Sequence, residues 1–180
     1  DHRNNNGPVV QLLRNPQNQL RKLVLFNMSL KDDHLIMLLP IIATSQIESL
    51  RFSCNVIRLQ GMLEFASFLP RMSTLKDVSF GSNPWEESSE DRNKVGEALL
   101  QGMMGNLSIK TVNGIAKTPQ APKLWHYVAL NRAGRRILAS SSQPIADGLW
   151  PLVLERAGTT LWYWGFNQVA LDMGDEREYD

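Results

Sequence analysis

Apolar residues recur in a fixed order of gaps over the first half of the chain. The order is an apolar residue, two others, an apolar residue, one other, an apolar residue, two others, an asparagine, one other and an apolar residue, and it begins at Ile47 and at Leu75. A copy that begins at Leu20 has Met28 in place of the asparagine. The starts at positions 20, 47 and 75 lie 27 and then 28 residues apart, so the pattern predicts an internal structural repeat. The three copies comprise Leu20, Leu23, Leu25, Met28 and Leu30, then Ile47, Leu50, Phe52, Asn55 and Ile57, then Leu75, Val78, Phe80, Asn83 and Trp85.

Each copy predicts one strand followed by one helix. In the second copy Leu50 and Phe52 alternate with Arg51, which is typical of a strand with one buried face. Apolar residues at helical spacing follow the first two strands. They are Leu35, Leu38, Leu39 and Ile42 after the first strand, and Met62, Phe65, Phe68 and Leu69 after the second. Because a helical crossover returns the chain in the same direction, the strands are predicted to lie parallel in an α/β fold.

Two asparagines stand at the turn that follows the strand in their copies, Asn55 and Asn83. A buried side-chain amide at this place can donate to and accept from backbone groups that the turn leaves without partners. The two residues are therefore predicted to form a structural asparagine ladder. Met28 cannot replace an asparagine in this role, so the first turn is expected to be less regular.

The recurrence over residues 20–85 resembles the leucine-rich repeat family, in its ribonuclease-inhibitor-like type. The resemblance implies a horseshoe-shaped solenoid with parallel strands on the concave side and helices on the convex side. It also implies that the concave strand face binds another protein. Strand alternation then assigns to that face Lys22, Val24, Phe26, Ser49, Arg51, Ser53, Asp77, Ser79 and Gly81. Among these, Phe26 and Arg51 are of the residue types that most often act as energetic anchors of interfaces.

A fourth copy is predicted in degraded form, and its helix is the clearer part. The segment Ser88–Asp91 offers a capping serine and an acidic first turn. The helix is predicted to run through Val95 and Met103 and to end at Gly105.

The strand of the fourth copy has weaker support. It would use Ile109 and Val112, with Gly114 where the third apolar residue belongs. The segment Glu86–Asp91 lengthens this copy and is expected to be a solvated loop.

Aromatic residues are concentrated after position 114, where four of the five tryptophans lie, namely Trp125, Trp150, Trp162 and Trp164. Because the end of a repeat array exposes apolar surface, this region is predicted to be an aromatic C-terminal cap. Within it, residues 123–130 are interpreted as a strand or a short helix, and residues 131–134 as a turn. The predicted organisation is the end of a preceding repeat of a longer chain (1–19), leucine-rich repeats starting near 20, 47, 75 and 109 (20–114), the capping region (115–171) and an acidic, mobile tail (172–180).

Composition limits the partners and the compartment. The 180 residues are 43% hydrophobic and carry a formal net charge of +1, which gives no overall field that would attract nucleic acid or an anionic membrane. The longest apolar run, Leu35–Ala43, contains Pro40 and is too short to cross a bilayer. The single Cys54 cannot form an internal disulfide, so a reducing compartment is expected, either the cytoplasm or the nucleus. Two sequons, at Asn27 and Asn106, would be glycosylation acceptors only in a secretory setting.

Candidate catalytic chemistry is scarce. The three histidines, His2, His34 and His126, have no metal-ligand spacing, and the chain has no Gly-rich phosphate loop. No local motif would activate Cys54. No catalytic residue, metal, cofactor or small-molecule substrate is therefore expected. Arg132 and the two arginines at 135 and 136 could form an anion site, or they could pair with carboxylates or face water.

The leading hypothesis is a non-enzymatic interaction module that binds a protein partner of unknown identity on the concave face. One alternative is a regulatory GTPase-activating protein, because ribonuclease-inhibitor-like repeats with an acidic tail also occur in Ran GTPase-activating proteins. No arginine here matches the catalytic motif of that family. Another alternative is the terminal sensor region of a multidomain receptor.

Overall fold

The structure is a computed structural model that describes residues 8–15 and 19–134. Within these residues short strands alternate with helices. The strands are β1 (Lys22–Val24), β2 (Ser49–Arg51), β3 (Asp77–Ser79) and β4 (Thr111–Asn113). The α-helices are α1 (Pro8–Arg14), α2 (Asp32–Thr44), α3 (Leu59–Phe68), α4 (Ser89–Gly105) and α5 (Ala121–Arg132), and the 3₁₀ helices are Leu69–Arg71 and Pro84–Glu86.

The strands form one parallel sheet in the order β1-β2-β3-β4. Leu23 lies beside Leu50, Leu50 beside Val78, and Val78 beside Val112. Consecutive helices contact one another in chain order from α1 to α5. The predicted α/β fold with parallel strands is thereby confirmed, because each helix returns the chain to the next position in the sheet.

The helical spacing of the sequence predicts the buried faces correctly. In α2, Leu35, Leu38, Leu39 and Ile42 are all buried, whereas Pro40 lies on the exposed side of the helix. Helix α4 begins after Ser88, whose side chain accepts a hydrogen bond from the amide of Asp91 at 3.3 Å. This serine cap and the helix end at Gly105 confirm the predicted bounds.

Aromatic side chains join the second and third copies in the core. Phe52 lies 5.2 Å from Phe65 and 5.8 Å from Phe80, measured between ring centroids. Phe80 lies 6.0 Å from Trp85 in the same way. All four side chains are fully buried. Pairs of this geometry contribute about 0.5–1.5 kcal/mol each beyond the burial of their area.

The asparagines at the turns bond to the preceding copy as well as to their own. Asn83 Oδ1 accepts hydrogen bonds from the amides of Asn55 (3.2 Å) and Ile57 (3.1 Å). Its Nδ2 donates to the carbonyls of Phe52 (3.2 Å) and Phe80 (2.8 Å). One side chain therefore provides partners for backbone groups of two successive turns in a buried place.

Asn55 repeats this arrangement one copy earlier. Its Oδ1 accepts from the amides of Met28 (2.8 Å) and Leu30 (3.1 Å), and its Nδ2 donates to the carbonyl of Leu25 (2.7 Å). The first turn lacks an asparagine at position 28, and Met28 is 57% exposed.

The backbone of the turns shows where the first copy differs. The residue before the ladder position has a positive φ in each copy, at Asn27, Cys54 and Ser82. The first turn has a further residue of this kind, Ser29, with φ of +53°. Left-handed backbone is uncommon outside glycine, so the first turn is less regular than the next two, as expected.

A second set of polar side chains bonds across copies on the opposite edge of the sheet, where the strands start. Thr74 Oγ1 donates to the carbonyl of Ile47 at 3.0 Å. Asn106 Nδ2 donates to the carbonyl of Leu69 at 2.7 Å, and Asn131 Nδ2 donates to that of Ile109 at 2.9 Å. The sequence did not predict these bonds, because the three donors do not recur at a constant spacing.

Two interpretations of the sequence need correction. The segment Glu86–Asp91 is not a loop throughout, because its last three residues form the first turn of α4, where acidic side chains are favourable. In the capping region, Asn131 and Arg132 were expected in a turn and instead end α5, and the turn follows at residues 133–134. The segment 123–130 is helical.

The fourth copy loses its regular pattern at Gly114. This residue has φ of +107°, and a Cβ atom on it would lie 2.5 Å from the backbone nitrogen of Gly81. The two glycines therefore allow the third and fourth copies to approach closely after their strands. The structure describes the predicted cap only up to residue 134. Within this part of the cap, Trp125 packs against the core. Trp150, Trp162, Trp164 and the tail 172–180 lie outside the described residues.

Replacing Asn83 with alanine should lower the free energy of unfolding by about 3 kcal/mol, because it leaves several buried backbone groups without partners. Denaturation in urea monitored by circular dichroism measures this change. Asn113, which is exposed on β4, offers the matched control, and its replacement with alanine should change stability by less than about 0.5 kcal/mol. Equal effects of the two substitutions would contradict the structural role of the ladder.

Candidate protein interface

The sheet has one face that no described helix covers, here called the open sheet face. On each strand the central residue is turned toward the helices, and its two neighbours are turned to the other side. All the residues predicted for the binding face are exposed or partly exposed. They are Lys22, Val24, Phe26, Ser49, Arg51, Ser53, Asp77, Ser79 and Gly81, and β4 adds Thr111 and Asn113.

The open sheet face is apolar at one end and polar over the rest. Val24 on β1 is 47% exposed, and Phe26, just after this strand, is 57% exposed. Met28, in the turn that follows, is exposed to the same extent as Phe26. At the positions beside Val24, β2 has Arg51 and β3 has Ser79. The first copy thus has the most exposed of these apolar side chains, and in the second copy Val56, in the turn after β2, is 36% exposed.

Hydroxyl groups connect the second and third copies on this face. Ser53 Oγ and Ser79 Oγ lie 2.8 Å apart and share a hydrogen bond. Next to this pair, Cys54 is partly exposed at the turn.

Charged side chains form a row along the edge where the strands start, here called the edge row: Arg21, Glu48, Lys76 and Lys110. The residues occupy matched positions, because the amides of Glu48, Lys76 and Lys110 each donate to the carbonyl of the preceding member at 2.7 Å. Glu48 forms ion pairs with Arg21 on one side and with Lys76, at 2.7 Å, on the other. Hydrogen bonds from Lys76 and then Arg21 lower the pKa of Glu48 from its ordinary value of 4.5.

Arg132, on α5, lies at the end of the edge row next to Lys110. Its Nε donates a hydrogen bond to the carbonyl of Lys110. Burial lowers the pKa of the Arg132 guanidinium, and the carboxylate of Asp77 acts in the opposite direction. The guanidinium nevertheless remains charged at neutral pH, as arginine does in proteins.

The other end of the fourth copy holds a further ion pair, between Lys117 and Glu86. Lys117 Nζ lies 3.3 Å from Glu86 Oε2, and only 10% of the Glu86 side chain is exposed. Counted from Ile109, Lys117 occupies the place that asparagine holds in the two preceding copies. The asparagine ladder therefore ends at Asn83 among the described residues.

The described residues give little support for other kinds of site. Over residues 8–15 and 19–134, no three or more His, Cys, Asp or Glu side chains are grouped so that they could hold a metal ion. In the same part of the chain, no helix has both the length and the apolar composition needed to cross a membrane. His34 has a local role, since its Nδ1 accepts from the amide of Lys31 at 3.2 Å at the start of α2. His2 and the arginines at 135 and 136 lie outside the described residues.

The alternation along the strands predicted which residues are turned away from the helices, but the edge row was not predicted. The row could have been found by aligning the copies one residue before their strands, where Arg21, Glu48, Lys76 and Lys110 coincide. The exposure of Met28 could also have been predicted. An apolar side chain at the ladder position cannot make the hydrogen bonds that hold the asparagines of the next two copies in a buried place.

Comparison with protein-family models gave no match, and comparison with curated proteins gave none either. Among solved structures, the fold is similar to that of Leiomodin-1 Actin-Binding Site 2 (ABS2), with a TM-score of 0.51 over 93% of this chain and 94% of that chain. The two sequences are 10% identical, so the likeness shows the fold alone. It is consistent with leucine-rich-repeat-like units.

Replacing Glu48 with glutamine should reduce the loss of thermal stability that occurs as pH falls into the acidic range. Because the pKa of Glu48 is lowered in the folded chain, its ion pairs stabilise the protein above the ordinary value of 4.5 and cease to do so as pH falls through the lowered value. The parent protein should therefore lose more thermal stability than the variant when pH is lowered from neutrality to below this value. Melting temperatures across that range measure the difference.

Glu97 provides the control for this experiment, since it is exposed on α4 and makes no ion pair with a described residue. Its replacement with glutamine should leave the pH dependence as in the parent protein. If both variants followed the parent curve, the ion pairs of Glu48 would have no measurable effect.

Proposed function

We propose that this chain is a non-enzymatic protein-interaction module, an arc of a ribonuclease-inhibitor-like leucine-rich repeat solenoid that binds a protein partner on the open sheet face. The observation that carries the proposal is the exposure of Val24 and Phe26 on that face, beside charged and hydroxyl side chains. In the proposed solenoid this face is the concave one. The proposal places the protein in the cytoplasm, with the nucleus as a further location.

The distribution of side chains fits the composition of a protein interface. Phe26 offers a large apolar surface with few rotatable bonds, which lowers the entropic cost of fixing it in a complex. Arg51 can donate several hydrogen bonds in a fixed geometry, and aromatic residues and arginine are enriched where binding energy is concentrated. Ser53 and Ser79 provide small polar groups around these anchors, as is usual for the rim of an interface.

The structural neighbour supports a protein-binding use of this type of fold. Its name describes an actin-binding site, which is a property of that protein. Actin is accordingly one defined partner to test against this chain, in a sedimentation assay with actin filaments. No observation on the described residues favours the GTPase-activating alternative or the receptor-sensor alternative over a plain binding module.

A photoreactive phenylalanine analogue at position 26 of the full-length protein should form covalent adducts with a partner in cells. The same analogue at Leu12, which is 50% exposed on α1, is the matched control and should give fewer adducts. Mass spectrometry of the adducts identifies the partner. Adducts that form equally well at both positions would contradict the assignment of the open sheet face.

With the partner in hand, replacing Phe26 or Arg51 with alanine should weaken binding by about thirtyfold, as for an interface anchor. Replacing Met104, which is 45% exposed on α4, should change affinity by less than about threefold. Isothermal titration calorimetry measures the affinities, and circular dichroism checks that each variant is folded. Full affinity in a folded double variant at positions 26 and 51 would overturn the proposal.

A further inference from the structure

The edge row has an unbalanced sequence of charges. Its members read positive, negative, positive, positive from Arg21 to Lys110. Glu48 is bonded by a cation on each neighbouring copy, Arg21 before it and Lys76 after it. In the third and fourth copies, two lysines occupy the matched positions, Lys76 and Lys110, with no carboxylate of the edge row between them. Lys110 makes no ion pair with a described residue.

An open groove of about 530 Å³ lies beside these two lysines. Its lining includes Lys76, Lys110 and Arg132 as cations and Glu48 as an anion, so positive charge predominates there although the whole chain has a net charge of only +1. Asp77 also acts on Arg132, as the direction of its effect on the pKa shows. The volume is within the range of sites that hold small ligands or short segments of a partner.

Hydroxyl groups line the groove next to the cations. Ser108 Oγ is already engaged with the carbonyl of Met72 at 3.0 Å, and Thr74 Oγ1 donates to the second copy. The third hydroxyl residue of the lining, Ser73, is exposed. Among the cations, Lys76 is already paired with Glu48 and Arg132 Nε donates to the carbonyl of Lys110. Lys110 is therefore the principal recognition group that the groove offers, with the positive charge of Lys76 and Arg132 on either side of it.

We propose that this groove binds a carboxylate-bearing ligand, supplied by an acidic segment of a protein partner, in which a carboxylate bridges Lys76 and Lys110 as Glu48 bridges Arg21 and Lys76. The matched positions carry this inference, because adjacent strands lie about 4.8 Å apart and the two long lysine side chains can both reach one carboxylate. The site is separate from the open sheet face, since it lies at the edge where the strands start. It does not depend on the function proposed for that face.

Triglutamate is the probe, titrated into the ¹⁵N-labelled protein and followed by chemical-shift changes of backbone amides. The changes should centre on Lys76, Ser108 and Lys110, which line the groove, and the affinity should fall as sodium chloride is added, because exposed ion pairs are screened. Changes that centre instead on Val24 and Arg51 would overturn the proposal while leaving the proposed function of the open sheet face untouched.

Lys110→Glu is the decisive variant. It places a carboxylate of the chain itself between Lys76 and Arg132, so the folded protein should be at least as stable as the parent while triglutamate affinity falls by about tenfold or more. Lys110→Ala should weaken binding by about threefold. Lys123, exposed on the other side of α5, is the matched control, and Lys123→Glu should leave the affinity within about twofold.

Two further ligands identify the chemistry and its source. Tricarballylate carries three carboxylates without a peptide backbone, and weaker binding than triglutamate supports a peptide as the natural source. Binding of tricarballylate as tight as that of triglutamate would overturn the assignment to a protein segment. Tighter binding of inorganic phosphate than of either would overturn the assignment to carboxylate. Full triglutamate affinity in a folded Lys110→Glu variant would overturn the site itself.

Discussion

The hydrogen bonds that one copy makes to its neighbour are the constraint on which the rest of the structure depends. A parallel strand of three residues has backbone groups on both sides, and no single copy can satisfy them. The side chain of Asn83 extends this dependence into the turn, because its Oδ1 accepts from the backbone amides of Asn55 and Ile57 in the preceding copy and its Nδ2 donates to the carbonyl of Phe80 in its own. Stability is therefore shared between neighbours rather than held within a copy.

This mode of stacking also determines which side chains can interact with other molecules. The central residue of each strand and the helices use one face of the sheet for the core, where Phe52, Phe65 and Phe80 meet. The flanking residues of each strand contribute little to that core and can differ from copy to copy. Val24, Arg51 and Ser79 occupy matched positions with entirely different chemistry, which makes the open sheet face the variable part of a regular scaffold.

The sequence predicts the regular parts of the fold because they follow from repeated patterns. Burial along α2 and the serine cap of α4 depend on nearby residues, so spacing and capping rules are sufficient. The bonds of Asn106 and Asn131 were not predictable in the same way, since they join segments whose separation differs from copy to copy. The edge row escaped prediction for another reason: charged residues before a strand look like ordinary solvated positions until the register aligns them.

Arg132 shows how the row of strand bonds ends among the described residues. The carbonyls of Arg21, Glu48 and Lys76 each accept from the amide of the next copy, whereas the carbonyl of Lys110 accepts from the side chain of Arg132. A guanidinium N–H thus occupies the place of a backbone amide. Because this donor is charged, it satisfies the last carbonyl and also brings positive charge to the end of the row, beside a lysine. The side chain of Arg132 therefore takes the place of a further strand and completes the hydrogen bonding of the edge row at Lys110. Its charge also makes this end of the row electrostatically unlike the end at Arg21.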